Sequence, residues 1–354
     1  RVEPRESLPV REAMDALVCA LQRLAREVGE LRVRILDDEL WAGDLEGRTL
    51  DLSSVQSRVE TQAQGIQAVL DPGGDAETLV RWLEVRGRGP RRNLALAAAP
   101  IEVGPVLRED LFQRLETTVL TSATLTTRAG FEYLRGRLGL EPSSLDDSLE
   151  VEEQVVDSPF DFSTQSVLAI PTDLAGPQAS GHRFQEETAR VALDVARMTG
   201  GGLFLLFTSH QALRQVAGVL RDGEARDESF PLFVQGDVPR ARLLQRFVES
   251  GRGILLGTAS FWEGVDVPGD PLRALVIQKL PFQVPTEPIV AARMELMEAR
   301  GEDPFWRYSL PEAALRLKQG FGRLIRTLDD RGAVLVLDDR ILTRRYGPYL
   351  RQSL

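Results

Sequence analysis

Residues 319–326 read Gln-Gly-Phe-Gly-Arg-Leu-Ile-Arg, and this stretch carries more chemistry than any other in the chain. On a helix, at about 100° per residue, Gln319, Arg323 and Arg326 form one stripe. Small and apolar residues point the opposite way: Ala313, Leu317, Gly320, Phe321 and Leu324. Arginine favours permanently charged, bidentate recognition of phosphate oxygens. A polar stripe alone is more often a solvated face, but this one predicts a helix that presents two guanidiniums and an amide to a nucleotide γ-phosphate.

Around this stretch, from residue 166 onward, short apolar strands alternate with amphipathic helices. The predicted strands are 202–208, 232–235, 254–257, 274–280 and 333–338, and the predicted helices are 211–220, 240–249, 288–300 and 311–325. This alternation is typical of a mostly parallel sheet covered by helices on both faces, whose ligands gather at the carboxyl ends of the strands. The sequence therefore predicts an α/β fold with its functional residues at that edge.

The first 92 residues have a different pattern. Apolar residues recur at alternating steps of three and four at Met14, Leu17, Leu21, Leu24, Val28, Leu31 and Ile35. The pattern repeats at Leu52, Val55, Val59, Ile66 and Val69, with Gln62 at the missing position. This spacing is typical of a narrow seam between packed helices, so we expect a helical hairpin. A self-associating coiled coil is the alternative. A Gly- and Arg-rich boundary at 87–92 then precedes compact α/β structure from Asn93.

Hydroxyl-rich turns follow two of the predicted strands. Residues 117–121 are β-branched and apolar enough for a strand, which leads into Ser122-Ala123-Thr124. Thr208 and Ser209 close a strand and precede a helix, where Ser209 is expected to cap the helix. The same hydroxyls and the free N–H groups of a helix N-terminus also suit a nucleic-acid phosphate.

The loop 257–266 is the most specific signal, because it packs many functional groups into a Gly-bounded turn after a strand. Thr258 and Ser260 are plausible donors to a phosphate backbone. Asp266 suits a ribose hydroxyl or an arginine pair, and Glu263 has no obvious structural partner. Trp262 is as well explained as a core residue.

Composition limits the classes of function. The 354 residues exceed the usual size of one core, so two or three domains are expected. A net charge of −10 argues against a uniformly basic surface, although residues 273–354 carry 14 basic against 10 acidic residues. The single Cys19 cannot supply an iron–sulfur cluster. With no membrane-spanning run or signal peptide, a cytoplasmic location is the default expectation.

The two lysines, Lys279 and Lys318, both follow residues other than glycine, which excludes a phosphate-binding loop of the Gly-x-x-x-x-Gly-Lys type. Neither His182 nor His210 follows an Asp-Glu pair. The sequence begins at Arg1 without a methionine. We therefore interpret it as a fragment that lacks an N-terminal ATP-binding lobe.

Four stretches in order resemble the C-terminal half of the DinG-type, XPD-like DNA helicases of superfamily 2. They are 121–125 (Thr-Ser-Ala-Thr-Leu), 206–209 (Leu-Phe-Thr-Ser), 257–266 and the opening stretch, and the similarity runs from about Asn93 to the end. The resemblance implies a helical arch remnant at 1–92, the last part of a first motor lobe at 93–165 and a second RecA-like lobe at 166–354.

The same resemblance implies the site residues. Gln319 and Arg323 would lie at the γ-phosphate, with Arg326 as the arginine finger, and Glu263, Gly264 and Asp266 would line the nucleotide cleft. Thr208, Ser209, Thr258 and Ser260 would contact single-stranded DNA, and Ser122 and Thr124 would couple ATP hydrolysis to the DNA-bound state. The cofactors would be ATP and Mg²⁺, and the N-terminal motor lobe of the same protein would complete their binding site. The protein would be a monomer.

Two other hypotheses stay open. One is that the chain is a nucleic-acid-binding or regulatory module without ATPase activity. A small-molecule enzyme of doubly wound type is the third, against which the absence of a glycine-rich dinucleotide turn argues.

Overall fold

The computed structural model describes residues 8–38, 45–70, 78–87, 92–142, 149–179, 182–222, 227–258, 272–322, 324–325 and 327–354. The chain divides into two compact units. One comprises Arg1–Glu102 with Thr286–Glu295, and the other comprises Val103–Pro285 with Leu296–Leu354. The helix Pro288–Ala299 contributes residues to both units.

The first unit begins with a helical hairpin, as the apolar spacing predicts. Helices α1 (Leu8–Asp37) and α2 (Glu46–Leu70) pack against each other. The predicted seam is half right. Met14, Leu21, Val28 and Ile35 are partly buried, but Leu17, Leu24 and Leu31 are each close to half exposed. Val18 and Ala25 are buried instead. From Met14 the buried and partly buried positions follow steps of four and then three, which places Val18, Leu21, Ala25 and Val28 on one face of the helix.

An antiparallel strand pair follows the helical hairpin. Strand β1 (Leu79–Arg86) pairs with β2 (Asn93–Pro100) in a register that sets Leu83 opposite Leu96 and Val85 opposite Leu94. The boundary that the sequence indicated at 87–92 lies between these two strands. Arg293 fastens the end of β2 within this unit, because its guanidinium is buried and donates two hydrogen bonds to the Ile101 carbonyl, at 3.0 and 2.6 Å.

The second unit contains a six-stranded parallel sheet within the described residues, in the order β3-β8-β7-β4-β6-β5. Its strands are β3 (Ser166–Ala169), β4 (Leu203–Phe207), β5 (Leu232–Val234), β6 (Ile254–Thr258), β7 (Ala274–Ile277) and β8 (Gly332–Val336). The strands β4, β6 and β7 are buried throughout, as expected for a sheet covered on both faces. The predicted α/β class is confirmed.

The remaining α-helices lie before, between and after these strands in the chain. In chain order they are α3 (Gly104–Leu107), α4 (Glu132–Leu138), α5 (Phe162–Gln165), α6 (Arg183–Thr199), α7 (His210–Asp222), α8 (Arg240–Ser250), α9 (Pro288–Ala299), α10 (Leu310–Phe321), α11 (Arg340–Thr343) and α12 (Gly347–Gln352). Two separate apolar cores lie on the two faces of the sheet, one containing Phe247 and Leu317 and the other containing Phe184 and Leu213.

Two predicted elements differ from the structure. Residues 117–121 form no strand with the described residues, and Val119 is 80% exposed. A strand needs a neighbour for its hydrogen bonds, and β propensity alone does not supply one. The helix predicted at 311–325 ends at Phe321, where Gly320 and Gly322 lower helix stability, and a turn carries the chain past Leu324.

Candidate functional site

The carboxyl edge of the sheet brings together residues that are distant in sequence. Phe207 at the end of β4 lies opposite Thr258 at the end of β6, so Thr208 and Ser209 emerge beside Thr258. Ser209 is exposed, and its Oγ accepts a hydrogen bond from the Ala212 amide at 3.2 Å, which caps α7. The expected cap therefore forms, and the exposed hydroxyl stands at the N-terminus of a thirteen-residue helix.

Thr258 is buried and already engaged. Its amide and its hydroxyl both donate to the Oε1 atom of Gln235, at 2.6 and 2.9 Å. Only 6% of Thr258 is exposed. The Thr258 hydroxyl therefore donates its hydrogen bond to Gln235. This contact links the end of β5 to the end of β6. Sequence reasoning missed Gln235, although a carboxamide directly after a strand at this edge was a usable signal.

Asp338, just past the end of β8, is a second edge residue that the sequence analysis missed. It is fully buried, and its Oδ2 accepts from the Leu280 amide at 3.0 Å beyond the end of β7. Arg340 donates to the two carboxylate oxygens at 2.7 and 2.6 Å. This bidentate pairing raises the pKa of the Arg340 guanidinium above its usual value. The pair fixes the ends of β7 and β8 relative to each other.

The helix α10 carries Gln319, and the structure brings that residue to the hydroxyl-rich turn. Gln319 Nε2 lies 3.5 Å from Thr124 Oγ1, across 195 positions of sequence. The predicted inward face is confirmed at Ala313, Leu317 and Gly320, which are all buried. The helix α10 ends at Phe321, and Arg323 and Arg326, the other two members of the predicted stripe, lie outside the described residues.

The turn itself is ordered by its own hydroxyls. Ser122 Oγ accepts from the Thr124 amide at 3.2 Å and lies 3.4 Å from Thr124 Oγ1. Lys318 adds a second connection to α10, because its ammonium donates to Thr126 at 3.3 Å (Oγ1) and 3.5 Å (carbonyl). Lys318 and Thr126 had no assigned role in the sequence analysis. The result is a short polar segment held along the surface of α10.

The site residues thus form two groups. One is Thr208, Ser209 and Thr258 at the sheet edge, and the other is Ser122, Thr124 and Gln319 beside α10. The predictions for Ser260, Glu263, Gly264 and Asp266, and for Trp262 as core, fall outside the described residues. Among the residues that the structure describes, no cluster of three or more His, Cys, Asp or Glu side chains is placed to hold a metal ion. None of the described helices is long and apolar enough to cross a membrane.

A family profile described as "Helicase C-terminal domain" matches residues 192–354. The chain is 32% identical to the ATP-dependent DNA helicase YoaA of Escherichia coli over 374 aligned positions, which cover all of this chain and 56% of YoaA. It is 34% identical to the ATP-dependent helicase DinG of Mycobacterium tuberculosis, covering 86% of this chain and 44% of that protein. Two XPD structures share its fold, with TM-scores of 0.55 and 0.56 at 16% and 17% identity.

Residues 192–354 of the chain form a helicase C-terminal domain, related in sequence to YoaA and DinG and in fold to XPD. The first XPD structure matches 97% of this chain and the chain covers 63% of it, so the shared fold also includes residues before 192. The resemblance given by the four short stretches is thereby confirmed.

The chain spans about half the length, or less, of the relatives that it matches, from 56% of YoaA to 30% of a protein named 3'-5' exonuclease DinG in Bacillus subtilis. The helicase C-terminal domain of this chain is therefore compared with one part of each relative. The exonuclease activity in the name of the Bacillus subtilis relative is a statement about that protein and not about this chain.

Proposed function

We propose that this chain is the C-terminal part of an ATP-dependent DNA helicase that moves along single-stranded DNA. The observation that carries the proposal is the contact between Gln319 and Thr124. It joins the helix that leads into the two arginines to the hydroxyl turn that, by resemblance, couples hydrolysis to the DNA-bound state. The relatives named ATP-dependent helicases support the same reading.

In the proposed reaction, water attacks the γ-phosphate of ATP in line with the leaving ADP. Gln319 and Arg323 contact the γ-phosphate, and Arg326 stabilises the charge that develops in the transferring group. Glu263, Gly264 and Asp266 line the same cleft. The described residues provide no carboxylate cluster for Mg²⁺. We therefore assign the metal ligands, and the acid that orients water, to a first motor lobe.

Single-stranded DNA is the proposed polymer substrate, and the carboxyl edge of the sheet is its proposed path. The exposed Ser209 and the N-terminus of α7 suit a backbone phosphate. Ser260 is the proposed second contact to the phosphate. Because the Thr258 hydroxyl donates to Gln235, we propose that Thr258 shapes the strand end, while Ser209 and Ser260 meet the phosphate.

The N-terminal motor lobe of the same protein is the proposed partner. Residues 117–121 expose two apolar side chains, with Val119 80% and Leu120 46% exposed. A segment with strand propensity and exposed apolar side chains, which has no strand partner among the described residues, is suited to join the sheet of another lobe. We propose a monomeric, cytoplasmic protein in which ATP binds between the two lobes. No iron–sulfur cluster is proposed for this chain, whose one cysteine is exposed.

A nucleic-acid-binding or regulatory module without ATPase activity is the second candidate. One sequence feature favours it, namely that the chain has two lysines and neither lies in a glycine-rich loop. The two candidates differ in whether an adjoining lobe supplies the phosphate-binding loop.

The isolated 354-residue chain tests this division of labour. We expect it to fold cooperatively, to bind single-stranded DNA weakly and with strong salt dependence, and to show no ATP turnover, because it offers half a nucleotide site. Fluorescence anisotropy with labelled oligonucleotides at several salt concentrations, together with a phosphate-release assay, measures both. ATP hydrolysis by the wild-type chain that is lost in Arg323→Ala would show that the chain is a complete motor.

A further inference from the structure

A carboxylate on α10, Glu312, collects three donors from three different elements. Its Oε2 accepts from the Tyr133 hydroxyl of α4 at 2.7 Å. Its Oε1 accepts from Gln283 Nε2, which follows β7, and from Arg316 Nε on its own helix, both at 3.3 Å. About a quarter of the Glu312 side chain is exposed. Glu312 is therefore the meeting point of α4, α10 and the segment after β7.

The donors are themselves connected, so that the contacts close into a ring. The Tyr308 hydroxyl donates to Gln283 Oε1 at 2.7 Å, and Tyr308 is 3% exposed. The guanidinium of Arg137 lies over the Tyr308 ring, 5.7 Å from its centroid. Arg137 and Tyr133 are one turn apart on α4. This ring, made of Tyr133, Glu312, Gln283, Tyr308 and Arg137, fixes α4 at two points.

The Tyr133 hydroxyl is the donor in its hydrogen bond to Glu312. Burial and the adjacent Glu312 carboxylate raise the pKa of the Tyr133 hydroxyl far above its usual value. The contact to Glu312 is a charge-assisted hydrogen bond, which is shorter and stronger than a neutral one.

Three contacts along α10 have a regular order. Tyr133 meets Glu312, Thr126 meets Lys318, and Thr124 meets Gln319. Residue numbers fall along the segment as they rise along the helix, so residues 124–133 run antiparallel to α10. Glu312 and Gln319 are two turns apart on the same face. The ring therefore holds one end of a segment whose other end places Thr124 beside Gln319.

We propose that Glu312 and Tyr133 are positioning residues, which set the register of residues 122–133 along α10 and so place Thr124 at Gln319. The proposal rests on the ATPase function proposed above. Partly exposed ionic hydrogen bonds contribute little net stability, because the partners lose their hydration. Their directionality instead selects one register, whereas apolar packing alone would tolerate small shifts of the segment.

Kinetics in the parent protein distinguish positioning from stability. In Tyr133→Phe, we expect kcat for DNA-stimulated ATP hydrolysis to fall about tenfold, with KM for ATP changed by less than about twofold. The reason is that the lost hydrogen bond to a charged group stabilises the arrangement in which Thr124 lies beside Gln319, and does not contact ATP. Glu312→Ala should match it. Glu312→Gln should retain more activity, because an amide oxygen still accepts from Tyr133. Tyr349→Phe is the control, since it removes the hydroxyl of another partly buried tyrosine in the same unit, outside the ring.

Amide hydrogen exchange in the 354-residue chain gives a readout that does not depend on catalysis. We expect residues 122–133 to exchange faster in Tyr133→Phe than in the wild type, with the strands β4 and β6 unchanged. A wild-type parent without ATP hydrolysis, together with this faster exchange, would refute the proposed function and keep the positioning role. Unchanged exchange, or unchanged kcat in Tyr133→Phe and Glu312→Ala, would overturn the positioning role.

Discussion

The close approach of two backbones at Gly104 and Gly139 is the contact that seats α4 in the second unit. Gly139 ends α4 in the left-handed conformation, with φ 73° and ψ 26°. A Cβ placed on it would lie 2.7 Å from both the carbonyl carbon and the oxygen of Gly104, where ordinary contact begins at 3.4 Å. Gly104 atoms cannot move aside as a side chain does, because they belong to the backbone at the start of α3. We therefore predict that Gly139→Ala is strongly destabilising.

The size of the effect follows from two separate costs. A non-glycine residue in the left-handed region costs about 1–2 kcal/mol. The overlap of about 0.7 Å with backbone atoms adds about 1–3 kcal/mol, as overpacking of a filled site does. The sum, roughly 3 kcal/mol, lowers the melting temperature of a unit this large by about 6–12 °C. Arg108 resists any outward shift, because it donates to the Gly139 carbonyl at 3.2 and 2.8 Å.

Gly251→Ala is the matched control for conformation. Gly251 ends α8 in the same left-handed region, with φ 63°, and a Cβ there meets nothing within 4 Å. This variant should lose only the conformational term of about 1–2 kcal/mol. Thermal unfolding followed by circular dichroism measures both variants against the wild type. Equal losses of stability in the two variants would refute the close approach of α3 and α4.

Two further predictions concern the ligands. Replacing Thr258 and Ser260 together by alanine should weaken single-stranded DNA binding for every sequence alike, because phosphate contacts carry no base information. If the affinity for single-stranded DNA were unchanged at low and at moderate salt, this loop would not lie on the DNA path. Arg323→Ala in the parent protein should reduce ATP hydrolysis and also weaken nucleotide binding, as measured with a fluorescent ATP analogue, whereas intact nucleotide affinity would contradict a γ-phosphate contact in the ground state.

The α/β unit could be predicted from the sequence because its local signals agree with its packing. The strands β4, β6 and β7 are continuous apolar runs, and their burial on both faces is what such runs require. The capping role of Ser209 followed from its place between a strand and a helix. These features depend on a few consecutive residues, so one sequence sufficed to find them.

Features that depend on partners far away in sequence were missed or misplaced. Gln235 and Asp338 act through hydrogen bonds to Thr258 and Leu280. The place of Gln235 at a strand end was a local signal, but nothing local identifies the distant partner of either residue. On α1, the sequence predicted that Leu17 and Leu24 would be buried, but Val18 and Ala25 are buried instead. Which residues are buried depends on how α2 packs against α1, and the spacing within α1 alone does not determine it. Residues 117–121 have strand propensity, but strand formation requires a neighbouring strand. The β1–β2 pair was not predicted, since its pairing spans the polar stretch that was interpreted as a boundary.

The central claim is that Arg326 acts on the transition state of ATP hydrolysis in the parent protein. The most direct measurement is the rate of DNA-stimulated phosphate release by Arg326→Ala, beside single-stranded DNA affinity and an Arg345→Ala control that removes one exposed positive charge from the same unit. We predict a loss of about a hundredfold or more in hydrolysis with DNA affinity within about twofold of the wild type, because an arginine finger supplies roughly 3 kcal/mol or more to the transition state. Hydrolysis by Arg326→Ala at the rate of the wild type would contradict the account.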